Sequence, residues 1–350
     1  MSAYADSISE SLGELKRFLE SLGPNPVILS HVDSDGLCSA AMFKRLLAGR
    51  GSRCTHVYPA KGANAFAPEV TDLLTGIQPS SLLVLDLGVP DRSIMPGVPT
   101  AFIDHHRPFG SPPDALVISS YGTPAAEPAS YLTYRLLSRL EQRDDLAWLG
   151  AVGTAADMGI DFAFSHGGPD LSSLKRSDVR EAEVLLNSAG RASEYDVATA
   201  VRLLERAQTL GDLVDRRRED VRTLQRYRNE VNREVRRCRH ERPYFRWKAA
   251  IVPITSHCDV QGLVAETWRR QLKNYLVLAA NFGYIQGKVA YAVRTEMDIS
   301  VIDFMESLKP PGYGHHVVFG HDRAGGAILD GEIWQDLTER MGFRSKEQES

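Results

Sequence analysis

Four acidic stations carry whatever chemistry this chain performs. The most telling is Ala101-Phe-Ile-Asp-His-His-Arg-Pro108, where an apolar run climbs to Asp104, His105 and His106 and stops at Pro108. The others are His31-Val-Asp33-Ser-Asp35-Gly36, Asp86-Leu-Gly88 and Gly153-Thr-Ala-Ala-Asp157. Each closes a largely apolar stretch. Carboxylates and imidazoles gathered in one cleft suit hard or borderline divalent ions such as Mn²⁺ or Mg²⁺. A pair of such ions needs a bridging carboxylate and several terminal ligands. His31, Asp33, Asp35, Asp86, His106 and Asp157 supply that set. A single acid at a strand-to-helix turn reads equally well as a helix N-cap. For Asp35 or Asp86 alone the two readings stay open. Asp-His-His after a buried strand, taken with the His-x-Asp-x-Asp-Gly run, favours the metal.

The elements that must position these residues follow from periodicity. Residues 6–22 place Ile8, Leu12, Leu15, Leu19 and Leu22 at helical spacing, closed by Gly23-Pro24. Val27 to Ser30 reads as a buried strand, and Leu37 to Leu47 as a helix ended by Gly49. Strand, acidic turn, helix opens a parallel α/β unit. Val57 to Ala60 is a candidate strand and Val70 to Leu74 a short helix. Leu82 to Gly88 and Thr100 to His106 are further strands, and an apolar helix over roughly 146–152 leads to Asp157. In open parallel sheets, ligands sit outside the carboxyl ends of the strands, which is where three of the stations fall. Residues 161–176, with Gly167-Gly168-Pro169, read as a loop. From about 178 to 242 the pattern is helical and rich in arginine, offset by Asp215, Glu219, Asp220, Glu230 and Glu234. It reads as a solvated face with i,i+4 acid pairs, or as the wall of a groove for a single strand. Tyr227, Tyr244, Phe245 and Trp247 either stack bases or form the docking core of a second domain.

A second α/β pattern starts near Lys248. Strands are expected at 249–254, 275–280 and 288–293, and helices at 260–272 and 301–308. A glycine-rich run, Gly312 to Gly326, follows. The expected division is a catalytic metal-binding domain at 1–190, an arginine-rich helical connector at 191–246 and a substrate domain at 247–350.

Composition bounds the partners. The chain has 350 residues, 43% hydrophobic and 25% charged, with a net charge of −4. That balance gives no overall pull toward nucleic acid, so only a local basic surface could provide one. Cys38, Cys54, Cys238 and Cys258 form no CxxC pair, which argues against a disulfide framework or a zinc ribbon. No apolar run reaches membrane-spanning length, and Asp6, Glu10 and Glu14 do not suit a signal peptide. A cytoplasmic protein without a membrane partner is expected.

In order, spacing and content, the four stations resemble the motifs of the DHH phosphoesterase superfamily. The form His-x-Asp-x-Asp-Gly-x-x-Ser-Ala, the Asp-Leu-Gly and the Gly-Thr-x-Ala-Asp are most similar to RecJ-type nucleases, in particular their archaeal relatives. Gly320-His321-x-x-Ala324-Gly325-Gly326 resembles the GGHxxAxG element of the DHH-associated substrate domain, with Phe319 where the first glycine of the pair is usual. Arg294 resembles that domain's phosphate-contacting arginine. The resemblance covers roughly residues 25–160 and 250–330. It implies an α/β fold: a parallel-sheet DHH domain, a long connector helix and a smaller C-terminal α/β substrate domain. It also implies two divalent ions, preferably Mn²⁺ with Mg²⁺ as the alternative. His31, Asp33 and Asp86 would hold one, and Asp35, Asp86, His106 and Asp157 the other, with Asp86 bridging. His105 would stand beside them as a phosphate contact or orienting group, and Asp104 would fix a histidine. Arg294 and His321 would clamp a substrate phosphate, with Gly320, Gly325 and Gly326 allowing close backbone approach.

Three functions follow as expectations. The first is an exonuclease releasing mononucleotides from single-stranded DNA or RNA, from the 5′ end by family resemblance. The second is a phosphodiesterase for short oligonucleotides or cyclic dinucleotides, which the modest length and acidic balance favour. The third is an inactive replication scaffold, against which all six filled ligand positions argue. Archaeal relatives also link the family to the replication GINS complex as a partner.

Overall fold

The computed structural model describes residues 2–64, 66–123, 126–165 and 171–343, with side chains from residue 11 onward. The chain divides into two compact units. The first holds Met1–Gly190 and Asp196–Arg226, and the second Arg191–Tyr195 and Tyr227–Ser350.

The first unit opens with helix α1 (Ser2–Glu20). Strand β1 (Pro26–Ser30) leads into helix α2 (Ser34–Gly49), and β2 (Thr55–Val57) into α3 (Pro68–Ile77). Strands β3 (Ser81–Leu85), β4 (Thr100–Asp104) and β5 (Ala115–Ser119) follow. Helices α4 (Ala129–Glu141), α5 (Ala147–Ser165), α6 (Arg176–Arg191), α7 (Val197–Arg206) and α8 (Leu210–Val214) come next. The five strands form a parallel sheet in the order β2-β1-β3-β4-β5. β1, β3 and β4 are buried along their whole length, which is why they read as continuous apolar runs without alternation. Val27, Leu29, Leu82, Val84 and Phe102 pack on one face with Val70 and Leu74 of α3. Chain order reverses between β1 and β3, the topological switch point of such sheets.

Helix α9 (Glu219–Cys238) starts in the first unit and ends in the second. The second unit continues with β6 (Tyr244–Arg246), β7 (Ala249–Ile254), α10 (Gln261–Arg269), β8 (Leu276–Asn281) and β9 (Lys288–Arg294). It closes with α11 (Val301–Ser307), β10 (Phe319–His321), β11 (Ala324–Asp330) and α12 (Gly331–Arg340). Its six-stranded mixed sheet runs β10-β11-β9-β8-β7-β6, with only the β7–β8 pair parallel.

The α/β architecture with a parallel sheet followed by a second, smaller sheet unit agrees with the sequence expectation. The stretch 191–246 differs in form from one long connector. It holds α7, α8, α9 and β6, shared between the two units. Arg45 of α2 donates to the Leu204 and Ala207 carbonyls, which ties α7 to α2. The expected loop at 161–176 is shorter at both ends, since α5 runs to Ser165 and α6 starts at Arg176. Gly167-Gly168-Pro169 lies outside the described residues.

His56 on β2 gives a pH test of this sheet. Its Nε2 lies 2.8 Å from Ser30 Oγ. Burial, helped by the charge of Lys44, pushes its pKa down to about 3. The unfolded chain therefore takes up a proton near pH 6.5 that the folded chain refuses until about pH 3. In that window stability falls as pH falls. Replacing His56 with Gln removes this acid-side loss. The melting temperature of the variant falls less between pH 7 and 4.5 than that of the parent, by the equivalent of about 1–2 kcal/mol. Parallel curves would place the acid sensitivity elsewhere.

Candidate metal centre

Each donor sits where an element ends. After β1, the His31 N–H still bonds the Leu85 carbonyl at 3.0 Å, which extends the ladder by one residue. The chain then turns into α2. Asp33 caps that helix, accepting the Gly36 N–H at 3.1 Å, so one acid serves both a cap and the cleft. Gly36 is required by space: a Cβ there would stand 2.6 Å from the His31 carbonyl. Asp35 points inward from the first turn of α2 and is fully buried. Its carboxylate accepts the Ala129 and Ser130 N–H groups, both at 2.8 Å. These are the first residues of α4, whose own N-cap, Pro128, offers no side-chain acceptor. Asp35 therefore supplies the missing cap and sits at the positive end of α4.

Asp86 follows β3 in the left-handed region, at φ 61°. Asp tolerates that conformation better than most residues. It lies across the switch point from His31, with His31 Nδ1 3.6 Å from Asp86 Oδ2. Asp104, at the end of β4, accepts three backbone N–H groups: Gly88 at 2.6 Å, His105 at 2.7 Å and His106 at 2.6 Å. The same carboxylate stands 3.0 Å from His106 Nδ1. Asp104 thus fastens the turn after β3 to the turn after β4 and sets one imidazole. Burial alone would raise its pKa, but His106 and the other donors outweigh burial and hold it well below the usual carboxylate range.

His105 points the other way. Its Nε2 lies 3.1 Å from Asp157 Oδ2, 3.2 Å from Asp86 Oδ1 and 3.6 Å from Asp35 Oδ2. Asp157 projects from α5, which breaks just beyond it at Gly159, φ 82°. Gly153, one turn earlier, lets α5 approach: a Cβ there would collide with Ser130 Oγ and stand 3.2 Å from Asp35 Cα.

Three overlapping donor sets result in the first unit. Ligand atoms of His31, Asp33 and Asp86 lie within 4.8 Å of one another, as do those of Asp35, Asp86 and His105 and those of Asp86, Asp104 and His106. Asp86 belongs to all three. The sequence reading placed His106 in the second set and His105 beside it. In the structure His105 faces Asp35, Asp86 and Asp157, while His106 faces Asp104 and lies 3.7 Å from Asp86 Oδ1, so each imidazole shares a donor set with Asp86.

The electrostatics suit a cation. Burial pushes the pKa of Asp35 well up, and the charges of Asp86 and Asp157 push it further. Asp86 is raised by burial and then by Asp33. Burial lowers the pKa of His105, yet Asp157, Asp86 and Asp35 together lift it well above an ordinary imidazole. Asp86 Oδ1 is buried and receives no well-directed hydrogen bond. A buried carboxylate oxygen left so, amid four other acids, calls for compensating positive charge. Oxygen and imidazole donors at this spacing fit divalent cations of the Mn²⁺ or Mg²⁺ class.

The candidate substrate residues lie in the second unit. Arg294, at the end of β9, donates from Nη1 to the Val293 and Gly325 carbonyls at 2.9 and 3.1 Å. His321 ends β10 and pairs with Ala324, which also pairs with Arg294, so both side chains point to one face of the sheet. Gly320 has φ 133°, and a Cβ there would collide with the Ala324 carbonyl. Cβ atoms on Gly325 and Gly326 would strike Val318 and the Tyr291 carbonyl at 2.7 and 2.5 Å. The three glycines are thus required by close strand packing in this hairpin. Phe319, in the place of the usual glycine, pairs with Gly326 inside the ladder.

Residues 25–155 match the profile of the DHH family, N-terminal domain. No curated protein matches the chain. Among solved structures, the chain is similar to an exonuclease RecJ bound to manganese, at 21% identity, TM-score 0.64, covering 98% of this chain and 96% of that one. It is similar to RecJ of Thermus thermophilus in complex with Mn²⁺, at 20% identity and TM-score 0.65, covering 97% of this chain and 55% of that one. It thus spans little more than half of that protein. It is also similar to CDC45 of Entamoeba histolytica, at 9% identity, TM-score 0.58, covering 95% and 99%. These likenesses establish the fold. Among the described residues, no helix is long and apolar enough to cross a membrane.

Sequence reasoning missed Asn187. On α6, its side-chain oxygen accepts the Ser34 N–H at 2.7 Å and the Ser34 hydroxyl at 3.0 Å, while its Nδ2 donates to Glu183 at 2.8 Å. It therefore clamps the residue between Asp33 and Asp35 from a helix distant in sequence. No local motif signals that role. Replacing Asn187 with Leu leaves the Ser34 N–H without its partner. This costs about 1–3 kcal/mol and is expected to weaken metal affinity by roughly tenfold or more, as supporting residues commonly do. Mn²⁺ titration by calorimetry checks it, and an unchanged affinity would remove Asn187 from the site.

Proposed function

We infer that the chain is a metal-dependent phosphodiesterase acting on single-stranded nucleic acid, with release of mononucleotides from the 5′ end as the favoured mode. The observation that carries this reading is the gathering of His31, Asp33, Asp35, His105 and His106 around Asp86, whose buried Oδ1 has no well-directed donor. The match of residues 25–155 to the DHH profile supports it.

His31, Asp33 and Asp86 would hold one cation, and Asp35, Asp86, His105 and Asp157 the other, with Mn²⁺ preferred over Mg²⁺. Bound there, such ions supply Lewis acidity toward phosphoryl oxygens and make an attacking water more acidic. The chain's own residues do the rest. Asp35 stays in place because the start of α4 grips both its oxygens. His106 has Nδ1 set by Asp104, so it is Nε2 that can meet a phosphate oxygen. Arg294 and His321 are the second unit's phosphate contacts. A guanidinium held by two carbonyls is well preorganised for that task.

A product-length series tests this. Single-stranded DNA and RNA, labelled at either end, are incubated with the protein and Mn²⁺ beside a dinucleotide. Mononucleotides appearing first at the 5′ end are expected. A preference for the dinucleotide by orders of magnitude would make this a short-substrate phosphodiesterase. Intact substrates throughout would leave a scaffold.

A further inference from the structure

The second unit carries an aromatic and basic strip that the metal centre does not use. Residues 244–248 read Tyr-Phe-Arg-Trp-Lys, and all five are exposed. Tyr244, Phe245 and Trp247 are 55%, 44% and 91% exposed. They are three of the six large apolar side chains exposed among the described residues. Such crowding within four positions exceeds the scatter of single apolar residues normal on a surface. They are not a domain core.

The backbone adds a second sign. β6 is an edge strand, and Trp247-Lys248 forms the two-residue turn joining it to β7, since Arg246 pairs with Ala249. Turns of this kind need a left-handed first residue and usually take Gly, Asn or Asp there. Trp247 occupies it at φ 50°. A bulky residue in that region costs stability, and an indole this exposed recovers little of it by packing. Strain of this sort persists where the side chain serves a contact outside the fold.

Beside the turn lies a cavity of about 940 Å³. Leu276, Phe304 and Leu308 line it with Trp247, and Arg246 and Lys248 add positive charge, with Arg340 beside them paired to Asp336 at 3.0 Å. Its one carboxylate, Asp298, is engaged by Arg323 at 2.5 Å. Val277 pairs with Arg294 across the β8–β9 ladder, so the neighbouring Leu276 points to the opposite face. The cavity is therefore on the other side of the sheet from Arg294 and His321.

Aromatic faces interleaved with cations are the chemistry of single-strand nucleic acid binding, with bases stacked and phosphates neutralised between them. We propose that this strip and cavity form a second binding site for single-stranded nucleic acid. Bases stack on Trp247 and enter the apolar cavity, and phosphates lie on Arg246 and Lys248. The ligand class rests on the phosphodiesterase reading, while the site is separate from the metal centre.

The test is fluorescence anisotropy of a labelled oligothymidylate of roughly 20 nucleotides, with the full chain in EDTA over a range of KCl. Trp247→Gly is expected to weaken binding about tenfold. Glycine is at ease at this turn, so the variant melts no lower than the parent. The double change Arg246→Gln and Lys248→Gln is expected to flatten the slope of log affinity against log salt by about 1.4. Affinity and slope indifferent to these changes, or a parent protein that does not bind the strand, overturn the site. Mn²⁺-dependent turnover of a dinucleotide by the unmodified protein reads the metal centre separately, so either reading can fall alone.

Discussion

Replacing Asp86 with Asn is expected to abolish hydrolysis while making the metal-free protein more stable. The activity loss follows from the shared position of Asp86 in all three donor sets of the first unit. Removing its charge weakens both cation sites together, and cations of this kind supply several kcal/mol of transition-state stabilisation. A fall of at least about a thousandfold in turnover corresponds to roughly 4 kcal/mol. The stability gain has the opposite sign for a physical reason. Burial and the charge of Asp33 raise the pKa of Asp86. A carboxyl with a raised folded pKa favours folding at low pH and disfavours it once pH passes that pKa. At pH 8 without metal its charge works against the fold, and Asn relieves this by about 1 kcal/mol. Asn also accepts the left-handed backbone at φ 61°, which Ala would not. Thermal melts with and without Mn²⁺ check it. The parent gains stability when metal is added, by mass action, and the variant does not. A variant that still hydrolyses substrate would remove Asp86 from the centre of the reaction.

Replacing Asp104 with Ala is expected to give the largest loss of stability. Three backbone N–H groups would lose their acceptor. At about 1–3 kcal/mol for each orphaned donor, the cost is roughly 3–9 kcal/mol. Asn, which keeps one oxygen, should lose less. The pH dependence is specific. A carboxyl held well below its ordinary pKa contributes stability fully at neutral pH and loses it as pH falls below about 4. The difference in melting temperature between parent and Asn variant should therefore be constant from pH 6 to 8 and shrink below pH 4. A constant difference down to pH 3 would mean that Asp104 is not held as a charged acceptor.

The strand ends were legible because burial on both faces leaves uninterrupted apolar runs, so a polar residue marks where the chain leaves the sheet. Ser30, Leu85 and Asp104 close β1, β3 and β4 just where the stations stand. Helix α4 was not legible. It starts after Pro128 with no capping side chain, and Ser130, Tyr131, Thr133 and Tyr134 are buried, which blurs its polar pattern. The acceptor for its first N–H groups is Asp35, 94 residues upstream. Strand β5 is only partly buried at the sheet edge, which weakened its signal. The orientation of the two histidines was also beyond the sequence. Adjacent imidazoles on one turn diverge according to which carboxylate holds them, and Asp104 decides that for His106. The glycines at 36 and 153 were visible as motif letters. Their cause, contact with the His31 carbonyl and with Ser130, required coordinates.

The interleaving of the two units has a consequence for synthesis. The segment 191–195 belongs to the second unit, yet 196–226 returns to the first. A nascent chain therefore cannot finish its catalytic half when Gly190 leaves the ribosome. It must wait for α7, whose carbonyls anchor Arg45. Until then the apolar side of α2 stays open to chaperones and to aggregation. A fragment cut at residue 190 should inherit that unfinished surface, whereas one extending to Arg226 would also carry α7 and the carbonyls that hold Arg45.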